Sequence, residues 1–131
     1  MDSFKISMPL AIYLPRKTMP DKKYIINFNN YHIWHNQVRN QIKQKYAEIV
    51  QSKLPNIRFN IFTTNYKLFK GSKRKCDKNN VYFLHDKFFC DAMVKAGLVE
   101  DDDDEHYIST NFAQVQYDKE NPRVEITVFH D

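Results

Sequence analysis

Apolar and polar residues alternate from Phe4 to Leu14, the two-residue period of a strand with one buried face. Pro9 interrupts that run, so an edge or bulged strand is expected. Lys17–Asp21 reads as a turn and Lys23–Phe28 as a short second strand. From about Asn30 to Lys53 the period lengthens to that of a helix. Val38, Ile42, Ile49 and Lys53 fall near one face with Tyr46 beside them, and Pro55 ends the segment. Arg58–Phe69 alternates again and predicts a third strand. A second helix is predicted over about Asn79–Ala96, with Val81, Leu84, Phe88 and Ala92 as its buried stripe, widened by Phe89 and Met93. Gly97 stands where a left-handed C-cap is needed. Tyr107–Tyr117 and Arg123–Phe129 read as a closing hairpin around Asp118–Pro122. The predicted order is β-β-α-β-α-β-β, an α+β fold with its helices packed on one mixed sheet.

Length and composition narrow the picture. A chain of 131 residues, 42% hydrophobic, holds one packed domain and is too short for two. Only two glycines occur, which excludes Gly-rich phosphate loops and dinucleotide-binding turns. Two cysteines, Cys76 and Cys90, are too few for a disulfide scaffold. With no apolar leader run and no membrane-length segment, a soluble cytoplasmic protein is expected, with no membrane contact and no organic cofactor.

Net charge is +4, but Glu100–Glu105 holds six of the 16 acidic residues. The rest of the chain is strongly basic around that one acidic focus. Such a surface suits a binder of polyanions that also holds cations. A solvated acidic loop is the ordinary alternative for any charge run.

Three features stand close together in the sequence. A basic loop carries Lys70, Lys73, Arg74, Lys75 and Lys78; Asp77 lies at a helix start; further acids follow that helix. Cations position a phosphate backbone without reading its sequence. Carboxylates hold Mg²⁺, a hard ion that prefers oxygen. Such an ion polarises a phosphoryl oxygen and generates hydroxide.

The segments Cys76–Val81, Asp86–Met93 and Lys95–Asp102, with the last strand Arg123–Val128, resemble the RusA family of Holliday junction resolvases. In that family a basic run leads into Asp-x-Asp-Asn. A helix follows that carries a Lys and ends in Asp-Ala-Leu-x-x-Ala-Gly, and an Asp-Asp pair comes after it. The similarity is confined to about residues 73–107 and 123–128. The resemblance implies a RusA-like fold, a homodimer, branched DNA as substrate, and Mg²⁺ (or Mn²⁺) as cofactor. It assigns Asp77 and Asp102 as catalytic acids and Lys87 as the catalytic cation. Asn79 and Asp101 join Asp77 and Asp102 as metal ligands, and Asn80 matches the motif's terminal Asn. Lys70, Lys73, Arg74, Lys75 and Lys78 are expected on phosphates, with Arg16 and Lys17, beside Lys22 and Lys23, as a second patch.

Two positions depart from the family pattern. Residue 79 is Asn where the family has Asp, so one ligand charge is missing. About four extra residues precede Lys87, which moves it roughly 6 Å along the helix axis. Ordinary roles stand beside these assignments. Asp77 is placed to cap a helix. Asp91 and Lys87 are spaced for an i,i+4 pair. Tyr24, Phe28, Tyr31 and Trp34 are expected in the core rather than stacked on bases. Cys76, His85 and Cys90 lack the spacing of a zinc site. Two rival functions remain open: a branched-DNA binder that does not cut, and a domain whose acidic loop docks on a basic protein.

Overall fold

The computed structural model describes residues 1–131. Three strands, β1 (Asp2–Met8), β2 (Ala11–Leu14) and β3 (Lys22–Ile25), precede two helices, α1 (Phe28–Ile33) and α2 (Asn36–Gln51). Then come β4 (Phe62–Lys70), α3 (Lys78–Ala96), β5 (Tyr107–Phe112), β6 (Gln116–Tyr117) and β7 (Arg123–His130). The main sheet runs β1-β7-β4-β5, with β6 continuing along β4 beyond β5. β7 is antiparallel to both β1 and β4, whereas β4 and β5 are parallel. The fold is therefore α+β with a mixed sheet.

The sheet is one-sided. Phe62, Thr64, Tyr66 and Leu68 of β4 and Val124, Ile126, Val128 and His130 of β7 are buried at every second position. They share one core with Ile42, Tyr46, Ala47 and Val50 of α2 and with the buried residues of α3. The alternate positions, such as Asn65 and Lys67, carry polar groups on the opposite face, as expected where one face meets water. The crossover β4–α3–β5 joins parallel strands and so requires a long connection, which α3 supplies. Where the chain leaves β4 between β5 and β6, Tyr82 fills the gap. Its hydroxyl accepts from Leu68 N and donates to Ala113 O, both at 2.8 Å.

Several sequence expectations change. The run Phe4–Leu14 is two strands: Pro9 and Leu10 end β1, and β2 pairs only with β3 in a separate two-stranded sheet. The helix expected over residues 30–53 is broken at Trp34–His35. Asn27 Oδ1 caps α1 by accepting from Asn30 N, and His35 caps α2 through Nδ1, which accepts from Gln37 N. Arg39 bridges the break by donating to Tyr31 O and His32 O. The closing hairpin does not form. β5/β6 and β7 lie on opposite edges of β4, and the 118–122 segment passes over the end of β4, where Asp118 N donates to Lys70 O. The cause is pairing: β7 buries its apolar positions fully only between β1 and β4. Gly97 does cap α3, with φ +85°.

Candidate nucleic-acid interface

Spacing along two helices builds a polar groove. Lys87, Asp91 and Lys95 recur every four residues on α3, so they form a stripe on one face. On α2, Asn36, Asn40, Lys43 and Gln44 form the facing stripe. The helices meet over Phe88, whose ring contacts Tyr31 at 6.1 Å and Tyr46 at 5.5 Å between centroids. The result is three adjoining hollows that share Lys43. The first runs past Tyr31, Arg39 and Lys87; the last ends at Asp91, Lys95, Asp101 and Asp102.

The cations in this groove are not equivalent. Lys43 Nζ pairs with Asp91 Oδ2 at 2.9 Å. Arg39 directs its donors to the α1 carbonyls, and its guanidinium lies 4.5 Å from the Tyr31 ring centre. Lys87 and Lys95 form no ion pair and keep their charge free. The i,i+4 pair expected between Lys87 and Asp91 is thus replaced by a tie across the two helices.

At the acidic end, burial holds the Asp102 carboxyl above the usual carboxylate range; a hydrogen bond with Asp101 and the charges of Asp91 and Asp101 act in the same direction. Asp101 Oδ1 also accepts from Asp102 N at 2.8 Å. Asp103 turns away to His106, whose Nδ1 lies 2.6 Å from Asp103 Oδ1. That contact holds the Asp103 carboxyl low and raises the imidazole.

Sequence reasoning missed Asp86. Its Oδ1 accepts from the hydroxyls of Tyr66 and Tyr107, both at 2.7 Å, and from Cys90 Sγ at 3.4 Å. The two tyrosine donors on this half-buried carboxylate oxygen tie α3 to β4 and β5, and Cys90 adds a bond within the helix. The only hint was Asp86 one turn before Cys90 on the sheet-facing side of the helix. Lys43 and Arg39 were also missed, although their i,i+4 spacing was visible.

The remaining assigned residues lie elsewhere. Asp77 is the N-cap residue of α3, yet its side chain makes no capping bond, so the capping role does not hold. Asn79 is exposed, and Asn80 Oδ1 accepts from Asn29 N at 2.8 Å, a structural tie to α1. Asp77 and Asp91 are fourteen positions apart, about 21 Å along the axis at 1.5 Å per residue. Asp77 and Asn79 therefore cannot share one ion with Asp101 and Asp102, which line a hollow with Asp91, within a single chain. No group of three or more His, Cys, Asp or Glu side chains is placed to hold a metal ion. The ligand set implied by the RusA resemblance does not fit as one intrachain Mg²⁺ site. Cys76 is exposed while His85 and Cys90 are buried apart from it, so these three form no zinc site. His85 Nδ1 instead meets Tyr46 Oη at 2.7 Å. Tyr24, Phe28, Tyr31 and Trp34 pack against the core, as expected.

The loop before α3 carries free charge. Lys73, Arg74, Lys75 and Lys78 are exposed and without ion pairs; Lys73 lies 5.5 Å from the Tyr117 ring centre, and Lys70 Nζ donates to Arg74 O. Arg16, Lys17, Lys22 and Lys23 cluster on the β2–β3 hairpin, also unpaired. No helix is long and apolar enough to cross a membrane. Compared with models of known protein families and with curated proteins, the sequence matches none.

Proposed function

We propose that this protein binds branched DNA along α3 and acts on it as a RusA-type endodeoxyribonuclease. The observation that carries the reading is the set of cations without ion pairs in the loop that opens that helix and on its groove face. Lys73, Arg74, Lys75 and Lys78 stand at its start, Lys87 in its middle and Lys95 near its end, beside Asp91, Asp101 and Asp102. The helix is about 28 Å long. Cationic groups without ion pairs attract a phosphate backbone and release its counterions. Lys87 is then the ammonium of the first hollow without an ion pair, placed to steady the charge of a phosphate held there. The acids mark the end of the track that repels the backbone.

Branched rather than linear substrate follows from the sequence resemblance in Asp86–Met93 and Lys95–Asp102, as does action as a homodimer. A two-fold dimer presents two α3 tracks to the two halves of a four-way junction.

One observation favours a second reading, a branched-DNA binder that does not cut. Asp77 and Asp102 stand at opposite ends of α3, and Asn79 supplies no charge. Incubating a synthetic four-way junction with the protein and Mg²⁺, then Mn²⁺, tests both. Paired nicks on the junction, absent from linear duplex, support the nuclease. Tight junction binding without nicks under either metal selects the second reading. No binding to either DNA at low salt refutes both.

A further inference from the structure

The β2–β3 hairpin is set apart from the rest of the chain. It pairs with no strand of the main sheet; one face packs on the core, and on the other only Ala11 is buried. On the core face Ile12 is buried and Tyr24 packs edge-on against Trp34, 5.8 Å between centroids. The opposite face shows Tyr13, Lys23 and Ile25 to solvent; Tyr13 stands directly across from Lys23 in the register. The tip, residues 15–21, is bounded by Pro15 and Pro20 and closed by Arg16 Nε donating to Pro20 O at 2.9 Å. At that tip Met19 is 58% exposed, and Tyr13 is 52% exposed.

An exposed thioether and an exposed phenol bring no stability to a monomer. Burial in water-free surroundings is what such groups favour. Around them stand Arg16, Lys17, Lys22 and Lys23, none paired with a carboxylate, although Asp21 is in the same turn. Four cations without a carboxylate partner, with Arg16 tied to the tip through Nε and Lys22 lying 5.2 Å from the Tyr24 ring centre, favour a polyanion as the covering partner. Prolines and the Arg16 bond keep the tip shaped, as a wedge requires. The apolar surface is a tip and one cross-strand position, not a continuous face, which suits insertion at an unstacked base step better than lying on a lipid surface. The hairpin is also continuous with the groove. Trp34 packs on Tyr24, while Tyr31, one turn earlier in α1, lines the first hollow with Lys87.

We infer that the hairpin is the element that recognises the branch point. Met19 enters between unstacked bases at the centre of a branched DNA, Tyr13 stacks on an exposed base, and Arg16, Lys17, Lys22 and Lys23 hold the flanking phosphates. This inference rests on the proposed DNA binding along α3 and adds to it the source of selectivity for branches. It requires no cleavage.

The test compares affinity for a four-way junction and for linear duplex of equal length, for the wild-type chain and for Met19→Ala/Tyr13→Ala. Both side chains are exposed, so the variant keeps its fold, which thermal unfolding checks. The wild type binds the junction more tightly. The variant loses roughly tenfold in junction affinity, the scale of one lost base-stacking contact, and binds duplex as before. A 2-aminopurine at the branch point brightens on binding the wild type and not on binding the variant. An unchanged junction-to-duplex ratio in the variant overturns the inference while leaving α3 binding intact. If the wild type binds neither DNA at low salt, the α3 reading fails and the inference falls with it. Binding to anionic phospholipid vesicles that depends on Met19, without DNA binding, also overturns it.

Discussion

Replacing Lys87 and Lys95 together with Ala separates the free cations of the α2–α3 groove from those the fold already uses. Both ammonium groups lack an ion pair, whereas Lys43 is tied to Asp91 and Arg39 to the carbonyls of α1. Each phosphate contact contributes a log–log salt slope of about −0.9 on duplex. Losing two contacts makes the slope less steep by about 1.8. Between 50 and 200 mM salt, the wild type then weakens about twelvefold more than the double variant. Fluorescence anisotropy with a labelled junction, titrated at four or more salt concentrations, measures the two slopes. Lys43→Ala is the informative control: it leaves Asp91 unpaired in the groove and weakens binding through repulsion. Equal slopes for the wild type and the double variant would refute the placement of DNA on α3.

Other outcomes follow from single groups. Burial lowers the His85 imidazole to about 3, below its ordinary value near 6.5, so the unfolded chain takes up a proton that the folded chain refuses. Stability from this group is complete above about pH 6.5 and declines as pH falls towards 3, by about 1.4 kcal/mol per pH unit. Urea unfolding at pH 7 and pH 4.5 should show His85→Asn losing less on acidification than the wild type; parallel losses would contradict it. Asp102 has the opposite sign, because its raised pKa makes ionisation oppose folding. Asp102→Asn should therefore raise Tm at pH 7, with the gain vanishing as pH falls through the folded pKa; a lower Tm at pH 7 would refute this. At Gly97, φ is +85° and an added methyl group would meet only open space, so Gly97→Ala carries a pure backbone penalty of about 1–2 kcal/mol, read as a drop in urea midpoint.

Local signals carried much of the fold. Most of the α3 stripe and its Gly97 cap follow from period and φ requirements, but Val81 is only partly buried, and Tyr82, His85 and Cys90, outside the expected stripe, are buried as well. What the sequence could not show was set by distant pairing. Nothing in Arg123–Phe129 says that it slots between β1 and β4; only the chance to bury Val124, Ile126 and Val128 on a central strand decides it. The break between α1 and α2 has neither Pro nor Gly to announce it. It is held by Arg39 reaching back to carbonyls seven and eight residues earlier. The candidate site divides in the same way. Lys87, Asp101 and Asp102 do line the groove, because helical spacing and the turn after Gly97 place them there. Asp77 and Asn79 were joined to them by resemblance, and the 19 residues of α3 hold the two groups apart. Asp86 escaped notice because its partners, Tyr66 and Tyr107, come from strands 20 and 21 residues away.

The most direct measurement is an electrophoretic assay with a synthetic four-way junction beside linear duplex, in Mg²⁺ and at low salt, using the wild type and Asp102→Asn. Both proteins are expected to retard the junction in preference to duplex, and the wild type alone to release paired, symmetric nicks. Retardation without nicks would contradict the nuclease and leave the branched-DNA binder; equal retardation of junction and duplex, or no retardation of either, would contradict both.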